Sequence, residues 1–180
     1  MKYIALFRGI NVGGNRKVEM KKLKALFETI GYTNVSTYLN SGNALFESDR
    51  KKDTIQKEIE LHLEKEFGFK IQTLVKSEKE MKQIADAIPV EWENDTIQKT
   101  DVAYLFPEID SKQTLDDLPV NKECIDIRYV KGALFWNVSR DNYNKSKIDK
   151  IIGLKIYRLM TVRNINTARF LAGYPVKGKE

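Results

Sequence analysis

Apolar stretches with strand-like and helix-like spacing follow one another along this chain in a single order, and that order occurs twice. Lys2 to Arg8 places Tyr3, Ala5 and Phe7 on one side and Ile4 and Leu6 on the other, so both faces are apolar and the strand is expected to be central. A helix is predicted over Glu19 to Ile30, where Met20, Leu23, Leu26, Phe27 and Ile30 recur at helical spacing and Gly31 supplies a C-terminal stop. Strands at Val35 to Leu39 and Asn43 to Glu47 flank the turn Asn40-Ser41-Gly42. A helix over Asp53 to Phe67 and a strand over Lys70 to Val75 complete a βαββαβ unit, the ferredoxin-like arrangement.

The second round is marked by the strand Asp101 to Phe106, a short helix at Ser111 to Leu118 and a hairpin of Cys124 to Val130 with Ala133 to Val138 over Lys131-Gly132. A helix over Asn144 to Ile152 and a last strand over Lys155 to Met160 follow, then a helix from Asn164 to Ala172. The halves echo each other in Ala-Leu-Phe against Tyr-Leu-Phe in their first strands, and in Gly42 to Phe46 against Gly132 to Phe135 in their third. The expectation is an α+β fold of two tandem ferredoxin-like halves related by duplication, with an extra C-terminal helix. Residues 1–88 form the first half with a trailing helix that starts at a Ser77/Glu80 capping box, and 89–100 a connector. Residues 101–172 form the second half and 173–180 a loose tail.

Composition removes several function classes. No apolar run approaches the ~20 residues that cross a bilayer, and the apolar stretch Tyr3 to Phe7 is too short for a secretory signal. A cytoplasmic protein without a membrane partner is expected. Cys124 is the only cysteine and His62 the only histidine, so neither an intramolecular disulfide nor a Cys/His metal cluster is available. Cys124 reads as a small buried hydrophobe and His62 as a residue of a charge-laced helix. The net charge of +6 favours anionic partners, although most of it is lysine interleaved with glutamate.

Three segments combine glycine, asparagine and arginine. The first is Arg8, Gly9, Ile10, Asn11, Val12, Gly13, Gly14, Asn15, Arg16 and Lys17, joining a central strand to a helix start. Glycines there let backbone amides approach a ligand, a helix N-terminus favours anions, and the cations add charge. The spacing is neither G-x-G-x-x-G nor a P-loop, and Glu19 at the helix start opposes an anion nearby. A structural loop that uses glycine and asparagine for positive φ is the alternative. The second segment, Asn40, Ser41, Gly42 and Asn43, reads as a hairpin turn, with a binding role as the alternative. The third, Arg163, Asn164, Ile165, Asn166 and Thr167, has ordinary N-cap residues but places a cation against the helix dipole, as if it awaited an anion or an internal carboxylate.

The segments R-G-I-N-V-G-G at Arg8 to Gly14, Y-x-N-S-G-N at Tyr38 to Asn43 and R-N-x-N-T at Arg163 to Thr167 resemble the signatures of a bacterial domain-of-unknown-function family, number 1697. The likeness runs nearly the full length of the chain. It implies two ferredoxin-like units and no activity, substrate or catalytic residue. A common family form has an aromatic between the two asparagines of the last segment; here Ile165 has no ring to stack.

Function is therefore expected at these loops, as binding of a phosphorylated small molecule or a nucleic acid. The RNA-binding sheet requires two aromatics on one face of the third strand, and Asn43-Ala44-Leu45-Phe46-Glu47 has one. An enzyme acting on a small anionic metabolite, with Arg8 and Arg163 as clamp, is the second reading. It lacks an evident acid–base pair in the loops. A protein-interaction or structural module, with Trp92 in the connector as a contact, is the third.

Overall fold

The computed structural model describes residues 1–12, 16–39 and 42–175. They fall into two compact units, Met1–Glu78 and Lys79–Glu180. The first contains β1 (Lys2–Phe7), α1 (Met20–Ile30), β2 (Thr33–Thr37), β3 (Asn43–Glu47), α2 (Lys52–Phe67) and β4 (Thr73–Ser77). Its sheet is antiparallel in the order β2-β3-β1-β4, so β1 is central, with Tyr3 opposite Phe46 on one side and Ser77 on the other. The period-two pattern of β1 decides the core. Tyr3, Ala5 and Phe7, with Ala44, Phe46 and Val75, face Leu23 and Phe27 of α1 and Ile55, Ile59 and Leu63 of α2. Phe27 meets Phe46 edge-on at 5.2 Å between ring centroids. Ile4, Leu6 and Leu74 on the other face are buried as well, as the two-sided apolar pattern predicts.

The second unit is opened by α3 (Glu78–Asp86), which the sequence reading attaches to the first half. It continues with β5 (Gln98–Leu105), α4 (Lys112–Asp116), β6 (Asp126–Val130), β7 (Ala133–Ser139), α5 (Tyr143–Ser146), β8 (Met160–Asn164) and α6 (Ile165–Leu171). The sheet order is β6-β7-β5-β8, the same topology with β5 central. Ala103, Leu105, Leu134, Trp136 and Val138 form one buried face with Ile148 and Ile151. Trp92 is buried rather than presented for contact: it packs edge-on against Phe135 at 5.9 Å, with the Arg128 guanidinium 4.9 Å from its ring centre.

The two units are tandem ferredoxin-like halves followed by the short helix α6. Ala5 pairs with Ala44 as Ala103 pairs with Leu134, and Phe7 N donates to Gly42 O at 3.0 Å as Leu105 N donates to Gly132 O at 3.0 Å. Gly42 and Gly132 are thus structural equivalents, both with positive φ (82° and 92°). The tripeptide echoes are one residue out of that register: Leu6 corresponds to Tyr104, not to Leu105. In a strand one residue of slip reverses the face, so those echoes do not mark equivalent side chains.

Several elements depart from expectation. The first-half strands shift by two or three residues: the second lies at Thr33–Thr37 and the fourth at Thr73–Ser77. The predicted strand over Lys155 to Met160 is a 3-10 helix at Lys155–Leu159, and the strand begins at Met160. The helix predicted over Asn144 to Ile152 is broken at Lys147, which adopts φ 60°, and continues as a 3-10 turn over Ile148–Gly153. Ser146 explains the break. Its buried hydroxyl donates to Tyr143 O at 2.6 Å and accepts from Ile148 N at 3.3 Å, competing with the helical backbone bonds.

Candidate functional site

The segment after β1 leaves the sheet under tight backbone control. Arg8 N donates to Gln72 O at 3.0 Å, which extends the β1–β4 ladder by one residue. Gly9 follows at φ 69° and Asn11 at φ 56°. The Asn11 side chain then closes the loop on itself: its Nδ2 donates to Val18 O at 2.9 Å and its Oδ1 accepts from Val18 N at 2.8 Å. Asn11 N also donates to Arg16 O at 3.1 Å. Asn11 therefore does the work of a backbone pair. Gly13, Gly14 and Asn15 lie outside the described residues.

What this closure presents outward is charge. Arg16 is exposed, its Nη1 would lie 3.8 Å from a Cβ on Gly9, and its guanidinium sits 5.9 Å from the Phe69 ring centre. Lys17 is exposed beside it, and Arg8 is half-buried at the loop's root. Among the described residues neither Arg16 nor Lys17 has a carboxylate within ion-pair distance. Glu19, the acid at the start of α1, is engaged by Lys22 at 3.5 Å and caps nothing with its side chain.

One signal in the sequence points to this surface and was not among the expectations above. Residues 1–24 contain seven Lys and Arg and a single acid, while the remaining 156 contain 24 bases and 24 acids. β1, its loop and the first part of α1 therefore carry a local excess of six positive charges.

The second segment abuts the first. Asn40 and Ser41 lie outside the described residues. Gly42 is buried at φ 82°, and a Cβ there would meet Ile10 at 2.7 Å and the Phe7 Cβ at 3.1 Å. Asn43 is fully buried, and its Nδ2 donates to Tyr38 O at 2.9 Å. Both residues hold the hairpin beneath the first loop, as the turn reading has it.

The third segment belongs to the second unit. Arg163 lies in β8 opposite Val102 and immediately precedes Asn164, the N-cap of α6. It is buried, and its Nη1 donates to Thr161 Oγ1 and to Val162 O, each at 2.8 Å. Burial holds its guanidinium down at about 10, against the opposing pull of Tyr104 and Tyr157. Asn164 is the N-cap of α6, accepting from Thr167 N at 2.9 Å, and Thr167 is buried. Asn166 is exposed on the same helix.

His62 Nδ1 lies 2.8 Å from Glu58 O within its own helix, and the Cys124 thiol accepts from Asn121 Nδ2 at 3.3 Å. Among the described residues no three His, Cys, Asp or Glu side chains gather as metal ligands, and no helix is long and apolar enough to cross a membrane.

The fold has a solved counterpart. The conserved bacterial protein SP0830 from Streptococcus pneumoniae superposes with a TM-score of 0.83 at 26% identity, over 96% of this chain and 97% of that one. No curated protein matches the chain. The family model described as "Protein of unknown function (DUF1697)" matches residues 1–136, which takes in the first two segments and stops short of Arg163 to Thr167. With three quarters of its length matched, the chain belongs to that family.

Proposed function

We propose that the chain binds a phosphate-bearing anion at the surface formed by Arg8, Gly9, Arg16 and Lys17. The observation that carries this reading is the local excess of seven Lys and Arg over one acid within residues 1–24, with Arg16 and Lys17 exposed on the same loop. An arginine offers a forked pair of donors that fits phosphate oxygens, and a neighbouring lysine adds a mobile point charge. Gly9, at φ 69°, takes a backbone conformation that favours glycine at the turn beside Arg16.

The sheet surfaces favour a small anion, or a nucleic acid gripped by its phosphates alone, over a base-stacking interface. The aromatic residues of the central strands, Tyr3, Phe7, Phe46, Tyr104, Phe135 and Trp136, are all buried. Base stacking needs rings that are accessible. Asn164 and Thr167 complete the α6 cap, so the proposed site draws on the first loop and not on the third segment.

A thermal-shift series of the purified chain tests this with inorganic phosphate, nucleoside mono- and triphosphates, and short RNA and DNA, each at low and physiological salt. A ligand at 100 times its Kd adds about 2.7 kcal/mol, which raises Tm by roughly 5–10 °C in a chain of this size. The rise is expected for at least one phosphate-bearing compound, to shrink with salt, and to vanish in the Arg16→Ala/Lys17→Ala double variant. A rise of equal size in that variant, or none with any compound, would overturn the reading.

A further inference from the structure

The second unit contains a cavity of about 360 Å³, to which the third segment contributes Asn166. One wall is α3, with Ala85 and Asp86; another is α6, with Asn166 and Arg169; Ile88 and Val90 line the chain between α3 and β5. Tyr174 closes the remaining side, its hydroxyl donating to Asp86 Oδ1. The volume lies at the lower end of the range for small-molecule sites.

The charges in this cavity have an unusual disposition. Asp86 stands on the α3 wall and Arg169 on the α6 wall, and among the described residues they form no ion pair with each other or with any other group. Arg169 is instead pinned by one nitrogen: its Nη2 donates to Pro89 O and Val90 O, both at 3.2 Å. Its Nη1 and Nε make no hydrogen bond among the described residues. Asn166 precedes it by one helical turn, so the amide and the guanidinium share a face of α6. Glu93 also lines the cavity and adds a second negative charge.

An anion alone would meet Arg169 but also two carboxylates, and a cation alone would meet the guanidinium. A ligand that carries both charges satisfies both walls. We propose that this cavity binds a small zwitterion of the α-amino acid type. Its carboxylate is received by Arg169 and Asn166, its ammonium by Asp86, and an aliphatic side chain lies on Ala85, Ile88 and Val90. The proposal does not depend on the phosphate site, which lies in the other unit and uses other residues.

Amide chemical shifts of the full chain, followed while each of the twenty proteinogenic amino acids is added, test it, with L-leucine as the first probe. Saturable shifts at residues 85–88, 90–93, 166–169 and 174 are expected. N-acetyl-L-leucine lacks the ammonium and L-leucinamide lacks the carboxylate. Each is expected to bind at least about tenfold more weakly, the loss of one charge-assisted contact. Asp86→Asn and Asn166→Ala both change exposed side chains, and each is expected to weaken the amino acid by a similar factor while the rest of the spectrum stays folded. Saturable binding of another of the twenty, with the same dependence on both charges, upholds the site and changes only the side chain it prefers. No saturable shift with any of them, equal binding of the acetylated or amidated compound, or undiminished binding by Asp86→Asn would overturn the proposal.

Discussion

At the scale of single residues, three glycines separate two penalties that are usually confounded. Gly153 has ordinary φ and open space where a Cβ would stand. Gly68 has φ 77° and open space, so only backbone strain opposes a side chain. Gly42 has φ 82°, and its Cβ would sit 2.7 Å from Ile10, itself 1% exposed and unable to swing into solvent. Substitution by alanine is therefore expected to cost within about 0.5 kcal/mol at Gly153 and about 1 kcal/mol at Gly68. At Gly42, strain and overpacking together should cost about 2–4 kcal/mol. Urea unfolding of the three variants gives the ranking directly. A Gly42→Ala variant no less stable than Gly68→Ala would show that the first loop and the hairpin are not packed as described. The series also bears on function, because it assigns Gly42 to the fold while Arg16 and Lys17 remain open to solvent.

At the scale of elements, one polar knot ties α1, β2 and α2 together. Glu58 Oε2 accepts from Tyr32 OH at 2.7 Å and from Arg50 Nη1 at 2.6 Å, while Arg50 Nη2 donates to Ile30 O at 3.2 Å. Burial, and then the hydrogen bond to Glu58, push the Tyr32 phenol above its ordinary value near 10. An acid whose folded value is raised stabilises the fold below its unfolded value, and that contribution is lost as pH climbs above it. Stability should therefore fall above about pH 10, where the unfolded chain ionises this phenol while burial and Glu58 keep it protonated in the fold. Tyr32→Phe removes one hydrogen bond at neutral pH, costing about 1 kcal/mol, and its stability should decline less steeply between pH 10 and 11 than that of the parent. Parallel slopes over that interval would show that Tyr32 is not the group responsible. The same elements show what the sequence made legible. The two-faced apolar pattern of β1 and the helical spacing of α1 and α2 placed the central strand and the core helices, because long periodic segments fix which face is buried. Lys155 to Leu159 reads ambiguously because five residues, Lys-Ile-Tyr-Arg-Leu, are too few for periodicity to separate a strand from a 3-10 turn. The partner that decides is β5, whose pairing starts at Leu105 with Met160. Arg163 belongs to that strand, which runs directly into the N-cap of α6. The Arg8 loop and the Gly42 turn were recognisable from residue type, but the closure of Asn11 on Val18 was not, since a side chain standing in for a backbone pair leaves no periodic trace.

At the scale of the molecule, the distribution of charge matters more than its total. Residues 1–24 hold seven bases and one acid and residues 140–169 eight and two, while 25–139 hold 14 and 21, so a net charge of +6 does not describe the average surface. Screening at physiological ionic strength limits each charge's reach to about 8 Å. A polyanion should therefore respond to the local cluster and not to the sum. Two double reversals test this with identical totals. Arg16→Glu/Lys17→Glu and Lys57→Glu/Lys65→Glu each lower the net charge by four, to +2, and all four positions are exposed. On an immobilised phosphate or heparin matrix the first variant is expected to elute at clearly lower salt than the parent. The second should stay close to it, because Lys57 and Lys65 sit in α2 among interleaved lysines and glutamates. Co-elution of the two variants would mean that only the total is felt, which would remove the argument that residues 1–24 form an anion-binding surface. A large separation would be an electrostatic footprint independent of any particular ligand, and it would also predict that association with phosphate-bearing partners slows steeply with salt for the parent and hardly at all for the Arg16→Glu/Lys17→Glu variant.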